Sequence, residues 1–127
     1  MLTGPEITQL QQIVRRLPVS DHVAKYAVDL ARSSRPGDEI APGFTREFVT
    51  WGAGTRAVQY LVLGAKARAA IAGEYNVTCE HVRNVAPLVL RHRIMTNFHA
   101  EAQGVSAEKI VALLLQHVSE PKPESYA

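Results

Sequence analysis

Apolar side chains recur along most of this chain at steps of three and four residues, a spacing that lines one face of an α-helix. One such stripe covers residues 7–17; helix-start residues precede it at 3–6, and Pro18 stops it. A second stripe begins after Ser20, a typical N-cap residue. Its apolar members are Val23, Tyr26, Ala27 and Leu30. The N-terminal part therefore predicts two amphipathic helices.

The middle of the chain contains a segment that is apolar on nearly every side. A stretch rich in Ser, Pro and Gly at 33–43 predicts a surface loop, and 44–51 fits either a short helix or irregular structure. The predicted helix then covers 55–72 and ends at Gly73. Because its small residues let neighbouring backbones approach and a helix without a polar face is normally central, we expect this helix in the middle of the fold.

The C-terminal half predicts further helices separated by caps and breakers. Thr78 opens one of them, Pro87 should kink or break it, and a helical pattern continues over 88–98. Ser106 then caps a last amphipathic helix.

Taken together, these segments predict an all-α fold, a bundle of about five or six helices. Around Tyr75 and Val77 the chain has room for a minimal strand pair at most. Residues 1–118 would form the domain, and 119–127, which lack a packing pattern, would form a flexible tail.

Composition and charge match an ordinary globular domain. The chain has 127 residues, 46% hydrophobic and 20% charged. A net charge of +2 is small for a dedicated nucleic-acid binder, so we expect no nucleic-acid partner. The single cysteine, Cys79, suits a reducing compartment, no cleavable leader is recognisable, and the longest nearly apolar run, 57–65, is too short for a membrane span. These features predict a cytoplasmic protein without a membrane partner.

No complete catalytic constellation is recognisable. The sequence lacks a phosphate-binding glycine loop, an HExxH zinc motif, a cysteine pair and a nucleophile elbow. The five histidines have no cysteine or acidic companions at ligand spacing, so we interpret them as structural or surface residues and predict no metal site. Cys79, at a predicted helix start, is either a thiol activated by the helix dipole or an inert, partly buried one.

Arg56 occupies a position that favours an external anion. It lies in the first turn of the predicted central helix, where the positive end of the dipole disfavours a cation by a few tenths of a kcal/mol. Gly52 and Gly54 just before it permit backbone shapes closed to other residues. Amides and a guanidinium at one helix tip can bind phosphate, although a surface arginine that bends away fits the same spacing.

A second cationic cluster comprises Arg91, His92 and Arg93. It could contact phosphate or an acidic partner, or it could be a solvated helix face with i,i+4 pairing. As a nucleic-acid-binding stripe it is weak, because no aromatic residues are interleaved with it.

Several of these segments together resemble a known family. The sequences WGAGTRA at 51–57 and GAKARA at 64–69, followed by YNVT at 75–78 and VLRHRI at 89–94, are similar to the C-terminal lid domain of MoxR-family AAA+ ATPases. The ATPase subunit of magnesium chelatase has the same type of lid. The resemblance covers about residues 2 to 117.

The resemblance implies a role in an ATPase cycle. Arg56 would be the sensor 2 residue, acting with Gly54 and Thr55 on ATP and Mg²⁺ bound in an α/β module that this chain lacks. The family also implies hexameric rings, chaperone-like maturation or metal loading of client proteins, and von Willebrand factor A-domain partners. The fragment alone would be inactive.

Two positions depart from the family pattern. Thr55 replaces a proline that commonly precedes the sensor arginine, and Cys79 replaces a proline that usually follows the cap threonine.

The rival hypothesis, from another functional class, is a free-standing helical adaptor that binds an acidic protein or nucleic acid through Arg91 and Arg93.

Overall fold

The computed structural model describes residues 4, 8, 9 and 17–121. Most of the first predicted helix lies outside the described residues. So does the end of the predicted tail, residues 122–127. Within the described residues six helices and one two-stranded sheet occur. In chain order they are α1 (Asp21–Ser33), α2 (Gly43–Phe48), β1 (Val49–Trp51), α3 (Thr55–Ile71), α4 (Cys79–Leu90), β2 (Met95–Thr96), α5 (Phe98–Gln103) and α6 (Ala107–His117). The predicted all-α bundle is confirmed.

Helix α3 forms the middle of the core and makes its most extensive contact with α4. Its buried residues recur every four positions, so they lie on one face. They are Ala57, Leu61, Ala65 and Ala69. A Cβ added at Gly64 would lie 3.2 Å from a methyl group of Val85 on α4, so the missing side chain lets the two helices approach. The helix ends at Ile71, and Gly73, just after the C-cap Ala72, has a positive φ of 74°, which fits the predicted stop at this glycine.

A partly buried arginine, Arg83, joins α1, α4 and α6 through side-chain hydrogen bonds. Tyr26 on α1 is fully buried, and its hydroxyl accepts a hydrogen bond of 3.0 Å from Nη1 of Arg83 on α4. The same Nη1 donates to the backbone carbonyl of Leu115 on α6 at 3.0 Å. Burial raises the pKa of Tyr26, so its hydroxyl stays neutral in this contact.

The strand pair lies elsewhere than the sequence predicts. Residues 75 and 76 form a bend, whereas β1 and β2 pair antiparallel, with Val49 opposite Thr96 and Trp51 opposite Met95. The backbone N–H of Asn97 extends this contact by donating to the carbonyl of Phe48 at 2.9 Å. The expected location near Tyr75 was wrong because a strand this short is defined by its partner, which is remote in sequence.

Helix α4 ends differently from the prediction. It continues through Pro87 to Leu90, so the predicted break at this proline does not occur, although the proline costs the helix one hydrogen bond. The helical pattern predicted over 88–98 is wrong, because α4 ends at Leu90 and a turn at 91–93 leads into β2. Pairing with β1 takes the backbone groups that a longer helix would use.

The predicted surface loop between α1 and α2 is held by side-chain hydrogen bonds. Arg32 binds both carboxylate oxygens of Asp38, at 3.0 and 2.9 Å, and this contact lowers the pKa of Asp38. Arg46 donates to the backbone carbonyls of Asp38 and Ala41, each at 3.1 Å. The loop therefore has a defined path past the end of α1. Over the described residues no helix is long and apolar enough to cross a membrane.

Candidate functional site

The segment that leads into α3 is fastened to the end of α1. The hydroxyl of Ser34, fully buried, donates to the carbonyl of Ala31 at 2.6 Å and accepts from the backbone N–H of Ala53 at 2.8 Å. Nε of Arg35 donates to the carbonyl of Ala53 at 2.7 Å. Both polar backbone groups of Ala53 thus have fixed partners, so the starting point of α3 is set by α1.

Position 52 requires glycine because its backbone lies against the backbone of Ser34 and Arg35. A Cβ at this position would lie 2.2 Å from the carbonyl oxygen of Ser34 and 2.7 Å from Cα of Arg35. Gly54, in contrast, faces open space, with no heavy atom within 4 Å of an added Cβ. The two glycines therefore differ in function: Gly52 packs against α1, and Gly54 precedes the first turn of α3.

The tip of α3 presents positive charge to solvent. Gly54 is the N-cap, and because it has no side chain it provides no capping hydrogen bond to the first amides of the helix. Thr55 and Arg56 are both exposed. Among the described residues nothing forms an ion pair or side-chain hydrogen bond with Arg56. The predicted residues Gly54, Thr55 and Arg56 are thus all exposed at the start of α3, and the guanidinium of Arg56 is accessible to an external anion.

The other predicted cationic residues have separate environments. The guanidinium of Arg93 lies over the ring of Tyr60, 4.7 Å from its centroid. Arg91 is exposed, and its Nε is 3.2 Å from Nε2 of His92. Within the described part of the chain neither arginine pairs with an acid. Because 91–93 form a turn, the predicted i,i+4 pairing on a helix face does not occur.

Comparison with known proteins identifies the family. Residues 44–114, more than half of the chain, match the AAA lid domain family. The chain belongs to this family. It is also 27% identical to Chaperone MoxR1 of Mycobacterium tuberculosis over 122 residues, which is 96% of this chain and 32% of that protein.

A solved structure supports the same assignment. The crystal structure of a provisionally assigned ATPase from Cytophaga hutchinsonii superposes on this chain with a TM-score of 0.86 and 29% identity, covering 93% of this chain and 36% of that one. The lid domain thus spans about a third of the length of both relatives. The resemblance to the lid of MoxR-type AAA+ ATPases, predicted from its motifs, is confirmed.

Sequence reasoning missed the residues that position the arginine tip. Ser34 and Arg35 belong to a segment predicted only as a surface loop, and both contact Ala53, eighteen or nineteen residues later. Tyr60, the partner of Arg93, was assigned only to the central helix. No local pattern reports contacts of this kind, since they depend on how α1, α3 and the 91–93 turn pack.

The histidines of the lid domain take structural roles where the structure gives them partners. His81 completes the capping box of α4: its Nδ1 accepts from the backbone N–H of Thr78 at 2.9 Å, and its Nε2 lies 2.9 Å from Glu74. His99 stacks on Phe48 and lies 2.9 Å from Glu47. In the described ranges no three His, Cys, Asp or Glu side chains converge as metal ligands would.

Cys79 is expected to resist alkylation while the lid domain is folded. The thiol is buried, which raises the pKa of Cys79 from 9.0 to about 11, so the hypothesis of a dipole-activated thiol is wrong. At pH 8 iodoacetamide should modify the native chain more than about a hundredfold more slowly than the urea-unfolded chain, because the thiolate is the nucleophile. Mass spectrometry of timed samples measures both rates.

The raised pKa of Cys79 also makes the stability of the fold depend on pH. Because the folded pKa of Cys79 is the higher one, the contribution of the buried thiol is complete below pH 9.0 and is lost as the pH rises towards about 11. Alkylation that is equally fast in the native and unfolded chains would contradict this account.

Proposed function

We propose that this lid domain senses ATP for a MoxR-type AAA+ ATPase, with Arg56 as its sensor 2 residue. The observation that carries the proposal is the exposed guanidinium of Arg56 at the uncapped tip of α3, without a partner among the described residues. Oriented amides and a guanidinium at one helix end are a fitting receptor for phosphate oxygens.

The residues present fit a nucleotide phosphate better than a metal. Residues 52–57 carry no carboxylate, so in this proposal Mg²⁺ is held by acids of the ATP-binding module. Arg56 would hold the β- and γ-phosphates, and backbone N–H groups near Gly54 and Thr55 would add partial positive charge. Bound ATP supplies the phosphoryl group whose developing charge Arg56 stabilises.

The anchored start of α3 gives this sensor a means of transmission. Ala53 is hydrogen-bonded to Ser34 and Arg35, so a displacement of Arg56 on phosphate binding would move α1 together with α3. We infer that nucleotide state is coupled in this way to the angle of the whole lid.

The wider biological role is proposed from the resemblance to MoxR-type ATPases. We propose that the complete enzyme is cytoplasmic and assembles through its own AAA+ core module with neighbouring subunits, in a hexamer. Its cycle would drive chaperone-like maturation or metal loading of client proteins, together with von Willebrand factor A-domain proteins. The name of the Mycobacterium tuberculosis relative, a chaperone, supports this class of function.

The 127-residue chain alone is expected to release no phosphate from ATP above the protein-free rate, because the proposal assigns ATP and Mg²⁺ ligation to the other module. A malachite-green assay with Mg²⁺ and ATP measures this. The coding sequence directly upstream should encode a phosphate-binding loop and an acidic magnesium motif. Turnover by the chain alone that disappears in Arg56→Ala, or an upstream sequence without those motifs, would refute the proposal.

A further inference from the structure

An apolar groove lies on the surface between α3 and α4. Its volume is about 390 Å³, it is open to solvent, and it is lined by Leu63 and Ala67 of α3 and by Leu88 and Val89 of α4. Leu63 is 41% exposed and Leu88 is 61% exposed. Helix α3 is central as predicted, but this part of its apolar surface faces solvent in the described part of the chain.

One end of the groove is cationic. Arg93 and His92 line it, and Arg91 precedes them on the same exposed turn. Arg93 stacks on Tyr60, but its Nε is shielded from solvent and has no hydrogen-bond acceptor among the described residues. The guanidinium is thus held in place by an aromatic ring, and within the described ranges no carboxylate pairs with it, so an incoming carboxylate would supply the counter-ion.

We propose that this cationic groove is the docking site for an acidic amphipathic segment of a partner protein. Its apolar side chain would lie over Leu63, Ala67 and Leu88, and a neighbouring carboxylate would pair with Arg93. The apolar floor complements the apolar face of such a segment, and the basic end complements its carboxylate. This site is separate from the Arg56 tip and does not depend on nucleotide sensing.

A nucleic acid fits this surface less well. The ring face of Tyr60 is already covered by Arg93, so it does not offer a base-stacking platform, and the floor is aliphatic. Binding of phosphates would leave that floor exposed. An acidic peptide uses both the floor and the charge.

The test uses a fluorescein-labelled synthetic peptide with leucines and glutamates at helical spacing, titrated into the 127-residue chain by fluorescence anisotropy. Arg93→Gln should weaken binding by about tenfold or more, since a charged hydrogen bond is lost. Leu88→Ser should weaken it as well; Leu88 is exposed, so folding is preserved. Lys109→Gln on α6 changes the net charge equally at an exposed site remote in sequence and should bind as the wild type does.

A matched peptide with glutamines in place of glutamates should bind about tenfold more weakly. Amide shifts at Leu63 and Leu88 in NMR spectra should locate the bound peptide. Equal binding by wild type and Arg93→Gln, equal binding of the acidic and neutral peptides, or displacement of the peptide by duplex DNA would each overturn the proposal. So would a complete ATPase that excludes the peptide in every nucleotide state, because the groove would then be covered by its own module.

Discussion

Replacing Arg56 by alanine in the complete ATPase is expected to lower kcat for ATP hydrolysis about a hundredfold, the scale on which loss of one preorganised donor acts on developing charge. The side chain is exposed and unpaired in the described part of the chain, so its removal should change the free energy of unfolding by less than about 0.5 kcal/mol. Steady-state phosphate release at saturating ATP, with thermal unfolding of the same samples, measures both quantities.

Two matched variants separate the role of Arg56 from its charge and from its helix. Arg56→Lys keeps the charge but loses the planar fork that grips two phosphate oxygens, so its kcat should fall between wild type and Arg56→Ala. Arg68→Ala removes an exposed arginine at the other end of α3 and should leave kcat unchanged. Wild-type turnover by Arg56→Ala, or an equal loss in Arg68→Ala, would show that Arg56 is not the sensor.

Replacing Gly52 by alanine is expected to destabilise the lid domain by about 3 kcal/mol or more, the upper part of the range for overpacking a well-filled site. The added Cβ would meet the backbone of Ser34 and Arg35 at distances as short as 2.2 Å, and backbone atoms cannot move aside as a flexible side chain can. The start of α3 would have to separate from α1. Urea denaturation followed by circular dichroism gives the change in the free energy of unfolding.

Gly54→Ala is the natural control for that experiment. Its Cβ would point into open space, so the free energy of unfolding should change by less than about 1 kcal/mol, with loss of a good N-cap residue offset by a stiffer unfolded chain. If Gly52→Ala were as stable as Gly54→Ala, the close approach between 52 and α1 would be refuted.

The helices were predictable where local chemistry defines them. Ser20, Thr78 and Ser106 are N-cap positions as predicted, with side-chain capping bonds at Thr78 and Ser106, and Gly73 follows the end of α3. Caps and positive φ depend on a few adjacent residues, so they are readable from sequence. The apolar stripe of α1 is buried as its periodicity predicts. The strand pair and the end of α4 were misplaced, since both depend on pairing between residues far apart in sequence.

The candidate site was predictable only in part. The position of Arg56 in the first turn of α3 follows from the glycines and the helical pattern before and after it. The absence of an Arg56 partner among the described residues, the buried hydrogen bonds of Ser34 and the stacking of Arg93 on Tyr60 do not follow from that pattern. Each of these depends on which surfaces meet, and the sequence pattern does not encode that in any short window.

The sequence by itself therefore determined the helical class of this protein, most helix starts, the arginine at the tip of α3 and the AAA lid family, because caps, periodicity and motifs are local properties of the chain. The tertiary structure decided how the end of α1 contacts the Gly52–Gly54 segment and where the two short strands pair. It also decided that, among the described residues, an apolar groove with a basic end lies between α3 and α4. These features arise from contacts between segments far apart in sequence, and such contacts form only when the helices pack together.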